Sequence, residues 1–167
     1  TSANAWAEVG FTGGGYLRLS EKSELNVMAD KKNERGREVL LRLSRGTAWN
    51  VVEKGQGGYR IDTPVVSTAV RGTVFRVDAT GVVKVLEGKV GVLSQDDLEL
   101  SVNQQLNPSG QVTDLTLDHI DRFNQQLDLQ RLKPTPLKIQ MPTLQDSTLF
   151  LSFATAPEAL MSGKIAG

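Results

Sequence analysis

The sequence predicts a mainly β protein, a β-sandwich or β-roll of stacked short antiparallel strand pairs followed by one short amphipathic helix. Two observations carry this. The segment from Thr63 to Leu93 reads as strand, turn and strand, with Val74, Phe75, Val77, Val82, Val83, Val85, Val90 and Val92 punctuated by Gly72, Gly81 and Gly88. β-Branched and aromatic residues suit a pleated, half-buried surface, and glycine supplies the positive φ of tight turns. The second observation is an internal echo. Leu17–Val27, Leu41–Val51 and Val83–Leu93 superimpose, with Leu-Arg-Leu-Ser at 17–20 and again at 41–44, Asn-Val at 26–27 and 50–51, and Gly46 on Gly88. The offsets are 24 and then 42 residues, too unequal for a strict solenoid and suited to a recurring supersecondary unit with irregular insertions.

Around Gly88 the alternation in VVKVLEGKVGVL aims Val83, Val85, Val90 and Val92 at one interior on either side of a tight turn. After Asn107-Pro108-Ser109-Gly110 the character changes. Thr116 is the expected N-cap of a helix, acidic residues fill its first turn, and Leu117, Ile120, Phe123 and Leu127 form its apolar stripe. Pro134, Pro136 and Pro142 then make an extended connector, and Leu149, Leu151 and Phe153 alternate as a pairing strand should. The expected organisation is a β domain over 1–113, a helix packed on it over 114–133, and a connector over 134–167. That last stretch leads either into an immunoglobulin-like module or into strands added to the first domain.

Composition excludes more than it selects. Lys plus Arg and Asp plus Glu both number 19, and a zero net charge argues against a nucleic-acid or anionic-membrane surface. No apolar stretch approaches the ~20 residues of a spanning helix. With no cysteine, disulfides and thiolate chemistry are absent. The mixed-sign run from Lys31 to Glu38 reads as a solvated loop. Thr1-Ser2-Ala3-Asn4 carries no visible signal peptide, as expected of a mature or cut-out segment.

Catalytic constellations are lacking. His119 is the one histidine, without local partners for a serine or metal mechanism. Asp114, Asp118 and Asp121 near it are expected to complement a helix N-terminus rather than bind a metal. Asp96-Asp97 lacks further oxygen ligands for calcium, and Gly13-Gly14-Gly15 lacks the Lys and Ser/Thr of a phosphate loop. No catalytic residue, metal or cofactor is expected. The binding candidates are Trp49, Arg71 and Arg76, residue types that a carbohydrate or envelope-polymer surface would use; the favoured expectation is that Trp49 fills the core and the arginines satisfy carboxylates or carbonyls at strand ends.

The order Leu41–Val51, Asp62-Thr63-Pro64, Val70–Val77 and Val83–Val92 resembles the FecR domain, named for periplasmic regulators of ferric-citrate uptake. The resemblance spans Trp6 to Gly110. Its most specific residues are Gly46, Gly72, Thr73, Phe75, Val77, Glu87, Gly88 and Val90. The form Val70-Arg71-Gly72-Thr73 is more similar to FecR domains beside LysM or immunoglobulin-like modules of bacterial envelope proteins. No anti-sigma segment, transmembrane helix or secretin-like domain is found in this sequence. The resemblance therefore implies a non-enzymatic interaction or scaffold module in the periplasm or cell envelope, binding a protein or an envelope polymer such as peptidoglycan. No nucleic-acid partner and no membrane insertion of this segment are implied. The alternative it implies is the periplasmic sensor domain of a FecR-type transmembrane signalling regulator.

Overall fold

Short β-branched strands closed by glycine corners build two facing sheets. The computed structural model describes residues 1–11, 15–33, 36–55, 57–95, 98–131, 148–156 and 159–166. The Pro134–Pro142 connector, Asp96-Asp97, and Gly13 and Gly14 lie outside the described residues, as do 34 and 35 of the charge run. Two compact units divide the chain, Thr1–Asn124 and Gln125–Gly167.

In the first unit, β1 (Ala7–Gly10), β2 (Tyr16–Leu19), β5 (Thr47–Val52), β8 (Thr73–Asp78), β9 (Val83–Glu87), β12 (Gln104–Leu106) and β13 (Val112–Asp114) form a seven-stranded antiparallel sheet in that spatial order. A six-stranded sheet runs β11 (Leu98–Ser101), β10 (Lys89–Val92), β7 (Ser67–Val70), β6 (Gly57–Asp62), β4 (Gly36–Arg45) and β3 (Glu24–Asn33). Helix α1 (His119–Arg131) begins in this unit and ends in the second. The second unit also holds β14 (Thr148–Ala156) and β15 (Ala159–Ala166), an antiparallel pair that forms its own two-stranded sheet, with Leu149 opposite Ile165 and Phe153 opposite Met161.

The inward faces alternate as the sequence requires. Leu17, Phe75, Val77, Val83, Val85 and Leu106 from one sheet meet Leu41, Leu43, Ile61, Val90, Val92 and Leu100 from the other, all essentially solvent-free. Burying each such side chain is worth about 1.5–3 kcal/mol. Polar groups interrupt this core at two places: the Tyr59 hydroxyl donates to Asn50 Oδ1 at 2.8 Å and Asn50 Nδ2 to the Ala48 carbonyl at 3.1 Å, and the Thr68 hydroxyl donates to the Ile61 carbonyl at 3.2 Å. Burial pushes the Tyr59 phenol far above its ordinary pKa.

The repeated unit differs from the expected strand pair. β9 and β10 do not hydrogen-bond to each other across Gly88; β9 belongs to one sheet and β10 to the other. The same crossing occurs from β4 to β5 at Gly46 and from β7 to β8 at Gly72, and each of these three glycines has φ between +66° and +85°. The echo in the sequence is thus an arch that carries the chain across the sandwich. Val83, Val85, Val90 and Val92 still share one interior, because an arch turns the inward faces of its two strands toward each other. Arches also explain the one parallel neighbour pair among the described residues, β4 and β6, since β5 between them lies in the opposite sheet.

The remaining motif residues are the fittings of one corner. A Cβ on Gly88 would stand 2.7 Å from the Gly72 carbonyl oxygen, so two arch corners pack backbone to backbone. The buried Thr73 hydroxyl donates to the Lys89 carbonyl at 2.9 Å across that contact. Glu87 is the last residue of β9 before the corner, and Phe75, Val77 and Val90 are core.

Candidate functional site

The outward face of the seven-stranded sheet carries one unbroken row of side chains. Glu8 stands opposite Arg18, Arg18 opposite Trp49, Trp49 opposite Arg76, and Arg76 opposite Lys84, spanning β1, β2, β5, β8 and β9. Strand alternation puts these residues outside because Ala48, Asn50, Phe75 and Val77 beside them face in. Arg18, Trp49, Arg76 and Lys84 are nevertheless each at most 6% exposed.

The start of α1 covers them. Asp118 is the N-cap, its Oδ1 accepting from the Ile120 and Asp121 amides at 2.9 and 3.2 Å, while Asp121 Oδ2 accepts from the Asp118 amide at 2.9 Å. This is a reciprocal capping box two residues after Thr116, the expected cap. Both carboxylates also reach the sheet. Arg76 Nη1 donates to Asp118 at 2.7 Å and to Asp121 at 3.0 Å; Lys84 Nζ donates to Asp121 at 2.7 Å, to Asp118 at 3.0 Å and to the Thr116 carbonyl at 2.8 Å. Arg76 also grips Asp78 through Nε and Nη2 at 2.8 and 2.7 Å, a bidentate pair. One turn further along the helix, the Asn124 carbonyl accepts from Arg18 Nη1 at 3.2 Å. Arg18 also donates to Glu8 at 2.7 Å and lies 4.7 Å over the Tyr16 ring. Trp49, between Arg18 and Arg76 in the row, therefore lies beneath the turn from Asp121 to Asn124.

The charges sustain one another. Burial works against the charge on Arg76, but Asp78, Asp118 and Asp121 outweigh it and hold the guanidinium above its usual pKa. Burial likewise opposes ionisation of Asp118, and hydrogen bonds from Arg76 and Lys84 outweigh it, so the carboxyl sits well below the usual range. The helix departs from its expected apolar stripe: its buried residues are Asp121 and Asn124, Phe123 is 45% exposed, and Leu117 precedes the helix. Periodicity alone assigned the wrong face, because the sheet row beneath is cationic rather than apolar. Asp121 and Lys84 were not singled out as partners in the sequence. The available signal was a Lys and an Arg at outward positions of neighbouring β-branched strands, a costly placement unless acids cover them.

Arg71 lies elsewhere. It follows β7 on the outward side of the six-stranded sheet, exposed, and lines a trough of about 750 Å³ with Glu38, Gly58, Ala69, Lys89 and Gly91. The structure thus unites Trp49 and Arg76 and separates both from Arg71. His119 opens α1 and is exposed, and Asp114 ends β13, also exposed. Among the described residues no group of three or more metal-ligating side chains occurs, and no helix is long and apolar enough to cross a membrane.

Two crystal structures of a candidate anti-sigma factor from Parabacteroides distasonis ATCC 8503 share this fold. They have TM-scores of 0.57 and 0.56, each at 20% identity over 70% of this chain and 58% of that one. The chain thus spans little more than half the length of that protein. No curated protein matches it. The family described as FecR protein matches residues 1–91, which run from the first strand through the Gly72 and Gly88 corners, and the chain belongs to the FecR family.

Proposed function

We propose that this chain is the sensor region of a FecR-type signalling regulator, a non-enzymatic element of the periplasm that binds a protein partner and passes that binding to the rest of the regulator. Family membership and the fold shared with a candidate anti-sigma factor support this reading over the scaffold reading drawn from the local form of the motif. The observation that carries it is the buried ionic clasp between α1 and the seven-stranded sheet. Arg76 and Lys84 sit on adjacent central strands, and both hold the first turn of the helix. A shift of either strand therefore displaces the helix, which leads into the second unit. Such coupling needs two arrangements of one packed element and no chemical step.

An in-frame deletion of residues 1–124 in the native gene tests this, with transcript levels of the target genes as the readout. Loss of inducer-dependent transcription, or its constitutive onset, is the expected result. An unchanged transcriptome, with loss of the protein from sedimented peptidoglycan, would overturn the sensor reading in favour of a scaffold.

A further inference from the structure

The two outer faces of the sandwich are treated differently. Trp49 and Gly91 occupy equivalent positions in their arches, each on the outward face of its sheet, yet Trp49 is roofed by α1 and Gly91 opens into the trough. The floor of the trough follows one register across five strands: Gly91 opposite Ala69, Ala69 opposite Arg60, Arg60 opposite Leu40, and Leu40 opposite Ala29. Arg60 leans out of it toward Asp62 and Ser67.

The glycines here are not demanded by the fold. A Cβ on Gly91 would meet nothing closer than the Ala69 carbonyl at 3.5 Å, and on Gly58 nothing closer than Glu38 Cγ at 3.8 Å, both ordinary contacts at ordinary φ. Glycine inside a strand weakens it and marks a bulge, a tight bend, or the close approach of a ligand or another backbone; the register runs without a shift through Gly91 and Gly58, which leaves the last.

Charge says what kind of chain. Lys89 is paired with Glu99 and Arg60 with Asp62. The side chains of Glu38 and Arg71 have no hydrogen bond or ion pair among the described residues, and they stand on either side of Gly58. Glu38 faces Gly58 across one strand spacing; Arg71 follows Val70, the partner of Tyr59, and so lies one spacing beyond Gly58 on the other side. Two spacings are about 10 Å, close to the ~9 Å that three residues span in an extended polyproline II chain, whose three-residue turn brings side chains i and i+3 to the same side. A sugar would lack a stacking surface, because the one aromatic residue lining the trough, Tyr59, belongs to the core.

We propose that this trough docks an extended polypeptide segment of a partner protein, lying across the strands, with an acidic side chain on Arg71 and a basic one, about three residues away, on Glu38. The proposal rests on the sensor reading and names the chemistry of its partner.

A phage-displayed random octapeptide library selected on the full chain tests it, since eight residues in that extended conformation, about 25 Å, match the width of six strands. The enriched peptides should pair an acid with a base three positions apart. Fluorescence anisotropy of the best one should show at least tenfold weaker binding to Arg71→Ala and to Gly91→Val, the latter keeping its β circular dichroism and melting at or above the wild-type temperature. Arg71→Glu should recover binding to the peptide with its acid replaced by Lys. Enrichment without the charge pair, no enrichment, equal affinity for Gly91→Val, or binding of a soluble muramyl tetrapeptide alone would overturn the proposal. The deletion experiment above is independent: lost trough binding with an intact transcriptional effect removes the docking site and leaves the sensor, and the reverse removes the sensor alone.

Discussion

The wholly buried carboxylate of Asp121 accepts a hydrogen bond from Arg76 at 3.0 Å, and with that one contact joins the third residue of a helix to the centre of a seven-stranded sheet. The same carboxylate also caps its helix and binds Lys84, so each of its interactions depends on the other two being in place. Asp121→Ala should therefore destabilise the fold by about 3 kcal/mol. That is the lower end for a broken buried ion pair, because Arg76 keeps Asp78 and Asp118. Asp121→Asn, which retains an acceptor for the Asp118 amide, should cost less. Urea denaturation of both variants measures the difference, and equal midpoints for all three proteins would remove the clasp as a stabilising element.

The clasp also fixes a pH dependence. The carboxyl of Asp118 is depressed in the folded state, so its contribution is complete above the unfolded value near 3.8 and is lost as pH falls toward the lower folded value. Stability should hold from neutrality to about pH 4 and decline steadily below it. Asp118→Asn should flatten that acid limb while leaving the alkaline side unchanged, since the Arg76 shift lies beyond accessible pH. Thermal melts from pH 2 to 7 supply the comparison, and parallel acid limbs in the two proteins would refute the assignment.

Two glycines of one arch should respond in opposite ways. Gly88→Val places a side chain at φ +79° against the Gly72 carbonyl and the Thr73 hydroxyl, and should cost at least the ~1–3 kcal/mol of backbone strain. Gly91→Val, three residues later at ordinary φ, should be neutral or add roughly 0.5–1 kcal/mol through better strand propensity. Denaturation midpoints ordered Gly91→Val, wild type, Gly88→Val are expected. A destabilised Gly91→Val would mean that the fold itself needs that glycine.

This contrast marks what the sequence made legible. Alternation of apolar residues and the glycine echoes located the strands, the core and the corners, because those depend on neighbours a few residues away. They did not distinguish a hairpin from an arch: both turn at Gly88 and both bury Val85 and Val90, and only the long-range pairing of Phe75 with Val85 and Val70 with Val90 separates them. The helix face was misread for a related reason. The apolar period of Ile120, Phe123 and Leu127 is local, whereas the burial of Asp121 is decided by Arg76, 45 residues away. Trp49 shows the limit most plainly. Its burial follows from its type, but the face on which it is buried depends on a helix some 70 positions downstream.

That placement makes Trp49 a reporter of the clasp. Of the two tryptophans, Trp6 is 51% exposed and Trp49 only 1%. Trp6→Phe leaves Trp49 as the one emitter. Its fluorescence should be blue-shifted and quenched by acrylamide several-fold less than free tryptophan, because the ring lies between two arginines under one helical turn. Adding Asp121→Ala to that protein removes the buried one of the two acids that hold Arg76 and Lys84 to the helix start, and nothing from the core between the sheets. Quenching should then rise severalfold under conditions where the far-ultraviolet β signal is unchanged. If it rises only together with global unfolding, the helix and the sandwich open as one unit, and the clasp cannot relay a signal separately from the fold. If Trp49 becomes accessible first, the row from Arg18 to Lys84 is the surface that release of the helix uncovers.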